Sequence, residues 1–524
     1  MMKNKLLIIF LLCNLLLSSC VGFQARYDHS TLTPSQPQPA ATFISTPASF
    51  PNFVDKQSQL FTNLWNDTAP FTVDLNPDEI GILTKYNSFP RYRIDVEIDQ
   101  ELRKIDATQE VLFTNNEAQE LNEIVFRVYT ALFGANVAWK DVQVNGEAAQ
   151  YTLSEAGTVL DISLKTALAP DEAIVVSLAY AYEIPLDADA NYNIFASADG
   201  LLTLAHFYPI LAVFDGKGWH RETPPNYGDV TYSDAAFYMV RIHAPQDVVL
   251  VTSGEQIDHQ LDADEQVTVF AAGPARDFMI CAGYDLVEDT LDVDGVAVRS
   301  FTPADLTTGR KAALSAAAAA LKSFSQILGP YPYREFDVIA THTNALGVEY
   351  PGLTTINQQI YHLDQKTDGT PYNILLESVI AHEAAHQWLY NLVGNDQVNA
   401  PWLDESLTQY ATYRYYADQY GSEAANGYLQ DFYNRWDRVD RAKIPIGKPV
   451  AFYEDGSYSA IVYGRGALFF YELEKIYGRE MMDDFLHEYT KKFSWDVVTS
   501  QEMKDSLEAA CHCSLDEAFK EWVE

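Results

Sequence analysis

The chain has 524 residues, of which 48% are hydrophobic and 13% aromatic, so most of it can fold into about two to four domains. It carries 73 acidic and 35 basic side chains, which gives a formal net charge of −38. That excess of carboxylates excludes nucleic acid as a partner, because the phosphates would be repelled, and disfavours basic patches on anionic lipid. A solvated acidic surface is the simplest interpretation of the charge.

The N-terminus predicts an export signal. Lys3 and Lys5 precede an apolar stretch, residues 6–17, that is too short to span a bilayer. The stretch runs into "LSSC", which resembles the bacterial lipobox, whose cysteine becomes the lipidated first residue of the mature protein. We therefore expect residues 1–20 to be a lipoprotein signal peptide and Cys20 to anchor the protein to a bacterial membrane, outside the cytoplasm. The alternative is an ordinary signal peptide with a chance cysteine.

Residues 21–60 predict an extended linker, because they are rich in Ser, Thr, Gln and Pro and too poor in apolar side chains to fold. Residues 61–305 predict a β-rich domain, similar in layout to an antiparallel β-sandwich. "RYRIDVEID", residues 91–99, alternates apolar and polar side chains as a half-buried strand does. Similar segments follow at short intervals, and Asn145-Gly146 is a typical hairpin turn.

Residues 306–524 predict an α+β, mainly helical domain. "TGRKAALSAAAAALKSFSQILG", residues 308–329, is a strong helix former that Gly329 and Pro330 end. "EFDVIATH", residues 335–342, predicts a strand, and helical periodicity dominates from there on.

Cysteine is rare. Of the five cysteines, only Cys281, Cys511 and Cys513 lie outside the predicted signal peptide, so we expect no disulfide framework. The "CHC" at residues 511–513 is either a weak metal site that lacks a fourth ligand or a cluster at a helix end.

The stretch "VIAHEAAHQWLYNL", residues 379–392, predicts half of a zinc site. Thr370 as N-cap and Pro371 in the first turn indicate a helix that Gly394 ends. His382 and His386 then lie one turn apart on one face, where two imidazoles can bind one tetrahedral zinc. Two ordinary histidines on a polar helix face are the alternative.

A third ligand decides between these interpretations. A second helix is predicted after Pro401, with Glu405 in its first turn and 19 residues beyond His386, which leaves room for one loop. Two His and one Glu form a set that leaves a fourth position open, as catalytic zinc sites do. The sequence therefore predicts that His382, His386 and Glu405 bind one zinc ion.

At these residues the sequence resembles the gluzincin zinc aminopeptidases, the family of membrane alanyl aminopeptidase (aminopeptidase N) and leukotriene hydrolase. "HEAAHQW" followed by "WLDES" is similar to the family's H-E-x-x-H-Q-W and W-L-N-E-G. "YSAIVYGRGALFFYELEK" is similar to its Y-x-K-G segment, and "LGVEYPGL" stands in the place of G-x-M-E-N-P-G-L. The resemblance runs from about residue 90 to the C-terminus. It implies a β-rich domain followed by a thermolysin-like catalytic domain, one zinc ion per chain, and peptide substrates with a free N-terminus.

The resemblance also implies roles for single residues. Glu383 would be the general base, and Tyr463 would donate its hydroxyl to the oxyanion of the tetrahedral intermediate. Glu349 would bind the free α-amino group and so restrict cleavage to the N-terminal residue. The alternative for Glu349 is an ordinary loop glutamate, because its neighbours Leu346, Val348 and Tyr350 depart from the family pattern.

Other positions depart from the family as well. Arg465 replaces the lysine of Y-x-K-G, Asp404 replaces an asparagine and Ser406 replaces a glycine. The family's second amine anchor, a Glu or Gln, has no counterpart in residues 201–219, where only His206 stands nearby. We also expect the helical C-terminal domain of many relatives to be absent, which would leave the site more open.

These observations predict a surface-anchored zinc aminopeptidase that releases N-terminal residues from peptides outside the cytoplasm. Two alternatives stay open. One is a metallo-endopeptidase on the same scaffold, and the other is a catalytically inactive lipoprotein that binds peptides.

Overall fold

The computed structural model of the protein describes residues 65–185, 190–367, 369–454 and 456–524. The predicted signal peptide, Cys20 and the linker over residues 21–60 lie outside these residues and stay predictions. Within the described residues the predicted fold class is confirmed, because a mostly β region is followed by a mainly helical α+β region.

Strands dominate residues 91–303, and the predicted alternation is present. In the first strand Ile94, Val96 and Ile98 are buried, whereas Glu97, which points to the opposite face, is exposed. The predicted hairpin turn has φ of 51° at Asn145 and 77° at Gly146, the positive values that a tight two-residue turn requires. The strands of this region are β1 Arg91–Ile98, β2 Lys104–Thr114, β3 Leu121–Arg127, β4 Ala138–Val144, β5 Glu147–Ala148, β6 Gln150–Ser154, β7 Val159–Leu168, β8 Ala173–Glu183, β9 Phe195–Ala198, β10 Leu201–Leu204, β11 Ile210–Leu211, β12 Ala236–Pro245, β13 Val249–Thr252, β14 Glu255–Asp262, β15 Glu265–Ala275, β16 Ile280–Gly283, β17 Leu286–Val293 and β18 Val296–Pro303.

Three sheets share one hydrophobic core. An eight-stranded sheet has the order β14-β15-β12-β1-β2-β8-β4-β5. In it β1 runs parallel to β12, whereas the other neighbouring strands pair antiparallel. Two four-stranded sheets, β13-β16-β10-β9 and β11-β3-β7-β6, contribute their apolar side chains to the same core. The arrangement matches the predicted β-sandwich-like region.

A fourth sheet, of five strands, carries part of the cleft described below. The sheet has the order β17-β18-β19-β21-β20, with β19 at Glu335–Thr341, β20 at Gly347–Tyr350 and β21 at Leu353–Asn357. Since β17 and β18 come earlier in the chain than residue 305, this sheet joins the two predicted regions. The boundary predicted at residue 305 stays a prediction.

The helical region buries a second core. The Ala-rich segment forms a helix that ends just before Gly329, as predicted, and it packs against the next long helix. Four two-residue strands complete the region: β22 Lys366–Thr367, β23 Thr370–Pro371, β24 Gly394–Asn395 and β25 Val497–Val498. The helices are α1 Thr307–Ile327, α2 Tyr372–Ala385, α3 Glu405–Tyr420, α4 Ser422–Asp437, α5 Gly466–Tyr477, α6 Arg479–Phe493, α7 Ser500–Cys511 and α8 Asp516–Trp522. Within the described parts of the chain, no helix combines the length and apolar character that crossing a membrane requires.

The cysteines follow the sequence analysis in part. Cys281 is buried and free, whereas Cys511 and Cys513 form a disulfide at the end of α7. A bridge between residues only two positions apart does not link separate parts of the fold. In this form the two sulfurs are not thiolate ligands, so the interpretation of "CHC" as a helix-end cluster is the better one.

Candidate metal centre and substrate cleft

Helix α2 begins one residue later than the N-cap assignment predicts. Thr370 and Pro371 pair as β23 with β22, so Pro371 is the N-cap and Tyr372 the first helical residue. The α-helix ends at Ala385, and a π-helical turn, Gln387–Leu392, continues it towards Gly394. His382 therefore projects from the last turn of α2 and His386 from its C-cap.

The three predicted ligands converge on one point. Nε2 of His382 lies 3.2 Å from Nε2 of His386 and 3.2 Å from Oε2 of Glu405. Nε2 of His386 lies 3.6 Å from the same Glu405 oxygen. All three side chains are buried. The first residue of α3 thus meets both histidines of α2 across the loop that the sequence analysis expected.

The arrangement of hydrogen bonds fits a zinc ion. Nδ1 of His386 donates to the carbonyl oxygen of Leu389 at 3.0 Å, which leaves the lone pair of Nε2 free to bind a metal. Oε2 of Glu405 is buried and has no hydrogen-bond donor among the described residues. Although burial opposes it, the imidazoles of His382 and His386 beside this oxygen hold the pKa of Glu405 well below its usual range. Two nitrogens and one carboxylate with an open fourth position are the ligand set of catalytic zinc.

Glu383 lies against the backbone of β20. Burial raises the pKa of Glu383 well above its usual value, and Glu349 adds to the effect. A Cβ atom at Gly347 would lie 2.5 Å from Oε1 of Glu383, closer than two such atoms can approach. Only glycine at position 347 allows β20 to pass this close to the predicted base.

Glu349 is buried in β20 and is not an ordinary loop glutamate. Nε2 of Gln397 donates to Oε1 of Glu349 at 3.0 Å and to Oδ2 of Asp404 at 2.9 Å. Oδ1 of Asp404 in turn accepts from the backbone N–H of Glu405 and caps α3. Burial followed by the neighbouring Glu405 raises the pKa of Asp404 to about 7. Through Gln397, the aspartate that replaces the family's asparagine therefore links Glu349 to the start of α3.

Tyr463 lies on a π-helical segment, Ser459–Arg465, that precedes α5. Its hydroxyl donates a short hydrogen bond to Oε1 of Glu405. Oγ of Ser406 donates to the carbonyl oxygen of Val462 at 2.6 Å, and a Cβ atom at Gly466 would collide with that Oγ. The serine that replaces the family's glycine is therefore accommodated by the glycine of the facing segment.

Arg435 of α4 supports the same segment from its other side. Its guanidinium binds Asp431 at 2.7 Å and Ser459 at 2.8 Å, and it lies 5.7 Å from the centre of the Tyr463 ring. The residue also lines the cleft. It holds the tyrosine segment and places one positive charge beside it.

Comparison with known proteins identifies the helical region. Residues 312–522 match the model of the peptidase family M1 domain. This region is therefore similar to an M1 peptidase domain. It is 24% identical over 290 residues to aminopeptidase M1-A of Oryza sativa, covering 52% of this chain and 32% of that protein. It is 25% identical over 388 residues to leukotriene A-4 hydrolase of Xenopus laevis, covering 70% and 60%. The chain thus spans about a third of the rice relative's length.

A solved structure shares the fold. An M1 zinc metallopeptidase mutant of Deinococcus radiodurans, bound to a Tyr-Ser-Ala substrate, has a TM-score of 0.63 and 21% sequence identity. The alignment covers 83% of this chain and 93% of that chain. The predicted resemblance to the gluzincin aminopeptidases is confirmed at the level of the family, and zinc is the metal that the M1 domain implies for its His-His-Glu set.

Arg465 joins separate segments of the helical region through backbone hydrogen bonds. Its guanidinium donates to the carbonyl oxygens of Ile444, Glu521 and Trp522 at 2.7 to 2.9 Å, and it stacks on the Trp522 ring. The residue is buried and fixes α8 to the end of the π-helical segment Ser459–Arg465. The arginine that replaces the family's lysine therefore contacts none of the predicted site residues.

The β-rich region closes the other side of the cleft. His206 lines it, with Nδ1 at 2.6 Å from Oδ2 of Asp277 and Nε2 at 3.1 Å from Oγ1 of Thr231. Asp229 lines it too, and burial raises the pKa of Asp229 well above its usual value, with Glu349 adding to the effect.

Sequence reasoning missed Asp229, Gln397 and Arg435, and it had no reason to distinguish His206 from a core histidine. Asp229 and Gln397 lie in loops without a recognisable motif, so no sequence signal pointed to them. The pair Asp431–Arg435 is spaced four residues apart on a helix, which is a signal for an ion pair but not for a site.

A second group of His, Glu and Asp lies at a junction between the two regions. His220 contacts Asp215 at 3.3 Å and Glu222 at 2.8 Å, and Nδ2 of Asn399 donates to both Glu222 and Asp396. The hydrogen bond between His220 and Glu222 lowers the pKa of Glu222 to about 2. The same hydrogen bond raises the pKa of His220 above its usual value. Because these groups satisfy one another, we interpret them as a charged junction and not as a metal site.

Proposed function

We propose that the protein is a zinc-dependent aminopeptidase that removes N-terminal residues from peptides. The observation that carries the proposal is the convergence of His382, His386 and Glu405 in one cleft with Glu383, Tyr463 and Glu349. Such a cleft combines a metal site, a base, a hydroxyl donor and a carboxylate for an ammonium group. The substrate complex of the Deinococcus structure agrees with a peptide as the ligand.

The side chains would divide the reaction as follows. Zinc held by the three ligands supplies Lewis acidity, which polarises a carbonyl group and lowers the pKa of water. Glu383 accepts a proton from the attacking water and returns it to the leaving amine. Tyr463 donates its hydroxyl hydrogen to the oxyanion, a contribution of about 3 kcal/mol in comparable sites. Glu349 binds the α-ammonium group and sets the position of the cleaved bond.

Peptides with free and with acetylated N-termini test the proposal most directly. An aminopeptidase shortens the free peptide one residue at a time and spares the acetylated one, because the ammonium group that Glu349 binds is gone. Internal cleavage of both peptides would overturn the proposal in favour of the endopeptidase. Binding without cleavage of either, by protein with one equivalent of zinc, would leave only a peptide-binding protein.

We also propose that the protein is exported and anchored to a bacterial membrane by lipid on Cys20. The sequence "LSSC" supports this part, together with the short apolar stretch before it. Cys20→Ala should move the protein from the membrane to the soluble fraction and abolish labelling by radioactive palmitate, while Cys13→Ala, the control, leaves both unchanged. Membrane association of the Cys20 variant equal to that of the wild type would contradict the anchor.

A further inference from the structure

Asp229 places a carboxyl group in the cleft that the proposed reaction does not use. Its carboxyl group contacts that of Glu405, and its Oδ2 is buried without a hydrogen-bond partner among the described residues. The charges that act on it most strongly belong to Glu349, Glu405 and Asp404, which are all acidic. Among the described residues, this group is therefore surrounded mainly by carboxyl groups, and none of its strongest charged neighbours is a cation.

The backbone on both sides of Asp229 is fixed. The hydroxyl of Tyr227 donates to the carbonyl oxygen of Tyr453 at 2.5 Å, and the N–H of Gly228 donates to the hydroxyl of Tyr192 at 2.9 Å. Gly228 has a φ of +72° and packs against the Tyr458 ring, so a side chain there would be strained and crowded. These contacts fix the backbone on both sides of Asp229 and so hold its side chain in the lining of the cleft.

A second polar group beside Asp229 also lacks a partner. Tyr458 lines the cleft and is 5% exposed, and its hydroxyl has no hydrogen-bond partner among the described residues. A Cβ atom on Gly228, the neighbour of Asp229, would lie 3.2 Å from this hydroxyl. An acceptor carboxylate next to an unpaired hydroxyl and an aromatic ring is a suitable environment for an ammonium or guanidinium group.

The charges of the cleft leave room for such a group. A divalent zinc ion offsets Glu405 and Glu383, and the α-ammonium group of a peptide offsets Glu349. Arg435 is already bound to Asp431, and His206 faces Asp277. Asp404 accepts hydrogen bonds from Gln397 and from the N–H of Glu405, whereas Oδ2 of Asp229 has no donor among the described residues. The substrate is the component that can bring a cation to Asp229.

We propose that Asp229 is a specificity residue that selects peptides whose N-terminal residue has a cationic side chain, such as lysine or arginine. The proposal rests on the proposed function, since it assigns the substrate class of the same cleft. Asp229 accepts hydrogen bonds from the side-chain cation, Tyr458 provides the hydroxyl and ring beside it, and Glu349 remains the partner of the α-amino group.

Pairs of substrates that differ in the terminal charged group and otherwise little in shape test the proposal. Aminoacyl amides of lysine and norleucine, ornithine and norvaline, and arginine and citrulline are compared by kcat/KM. Wild-type protein should prefer the cationic member of at least one pair about tenfold to a hundredfold, the range of a hydrogen bond to a charged group. Equal kcat/KM within every pair would overturn the proposal and leave the aminopeptidase intact, whereas no cleavage of any amide would contradict the aminopeptidase itself.

Variants then locate the preference. Asp229→Asn should reduce it to less than about threefold by slowing the cationic substrates, and Asp229→Glu should retain part of it because the charge is kept. Asp247→Asn, the control, removes an exposed carboxylate outside the cleft and should leave the preference unchanged. If Asp229→Asn slows charged and neutral substrates equally, Asp229 binds the α-amino group and the proposal is wrong.

Binding provides a readout that does not depend on turnover. In the Glu383→Gln background with bound zinc, calorimetry with lysinamide and norleucinamide should show the same preference, and Asp229→Asn should remove it. Equal affinity for the two amides in the parent protein would overturn the proposal even if Asp229→Asn proved unstable.

Discussion

The two sides of the cleft are held in place by different kinds of interaction. On the helical wall, formed by α2, α3 and the segment Ser459–Arg465, positions are set by helix geometry and by glycines at close backbone approaches. On the β wall, formed by Tyr192, His206 and residues 227–231, positions are set by side-chain hydrogen bonds between loops. The helical wall carries groups of the proposed reaction, so small displacements of its side chains should reduce activity. The β wall carries the groups that we propose contact the substrate, so changes there should affect the metal centre less.

The largest effect should come from the base on the helical wall. Glu383→Gln keeps the shape of the side chain but cannot accept a proton, so kcat should fall by about 10² to 10⁴-fold. Zinc content should stay at one ion per chain, because Glu383 is not among the three converging ligands. Glu423→Gln, an exposed substitution at the start of α4, is the matched control. A variant that retains wild-type kcat would remove Glu383 from the reaction.

The next effect tests how far the side chain of Glu383 can be displaced before activity falls. Gly347→Ala introduces a Cβ atom that must displace the carboxylate of Glu383, and a displacement of about 1 Å can reduce activity about 100-fold. Gly81→Ala is the control, since no atom lies within 4 Å of a Cβ atom there. Activity, zinc content and thermal unfolding are measured for both. Full activity of Gly347→Ala would show that this approach is not required.

A smaller effect should appear in stability. Gly466→Ala places a methyl group against Oγ of Ser406 and should lower the free energy of unfolding by about 1 to 3 kcal/mol, the usual cost of overpacking. In the Ser406→Gly background the same substitution should cost much less, since the obstructing side chain is absent. Urea unfolding of the two single variants and the double variant measures the coupling, and purely additive free energies would contradict it.

The smallest effect should arise at the charged junction behind the β wall, and it should depend on pH. The raised pKa of His220 means that its stabilisation is present below its unfolded value near 6.5 and is lost as pH rises through the folded value. The lowered pKa of Glu222 means that its stabilisation is present above about 4.5 and is lost as pH falls towards 2. The pair therefore stabilises the fold most between about pH 4.5 and 6.5.

His220→Asn tests this dependence. Because both side chains are partly exposed and screened, it should cost about 0.5 to 1 kcal/mol more at pH 5.5 than at pH 9 by urea unfolding. His259→Asn, on β14, is the control for the loss of a histidine elsewhere. An equal cost of His220→Asn at both pH values would contradict the charged junction.

Much of the helical wall could be predicted from the sequence because its information is local. The four-residue spacing of His382 and His386 determines which helix face they share, and Glu405 follows directly as the first residue of the next helix. The start of α2 was misplaced because pairing of Thr370 and Pro371 with β22 competes with capping. The π-helical turn after Ala385 was also missed, since apolar spacing does not distinguish it from a continued α-helix.

The β wall could not be predicted for the opposite reason. Asp229 of this wall reaches the cleft only because its loop packs against parts of the chain that lie far away in sequence, and the same holds for Gln397 in the loop before α3. The contact between Gln397 and Glu349 joins residues 48 positions apart, and that between Tyr227 and Tyr453 joins residues 226 positions apart. No periodicity or motif reports such contacts, so only the folded chain shows them.

The hydrogen bonds from Arg465 to the backbone of Glu521 and Trp522 join parts of the chain that are synthesised at different times. During synthesis both histidines and Glu405 leave the ribosome more than 100 residues before Trp522 does. The three predicted metal ligands are therefore synthesised well before the backbone that holds Arg465 and the segment bearing Tyr463. The order of synthesis makes α8 the last helix to become available for this contact.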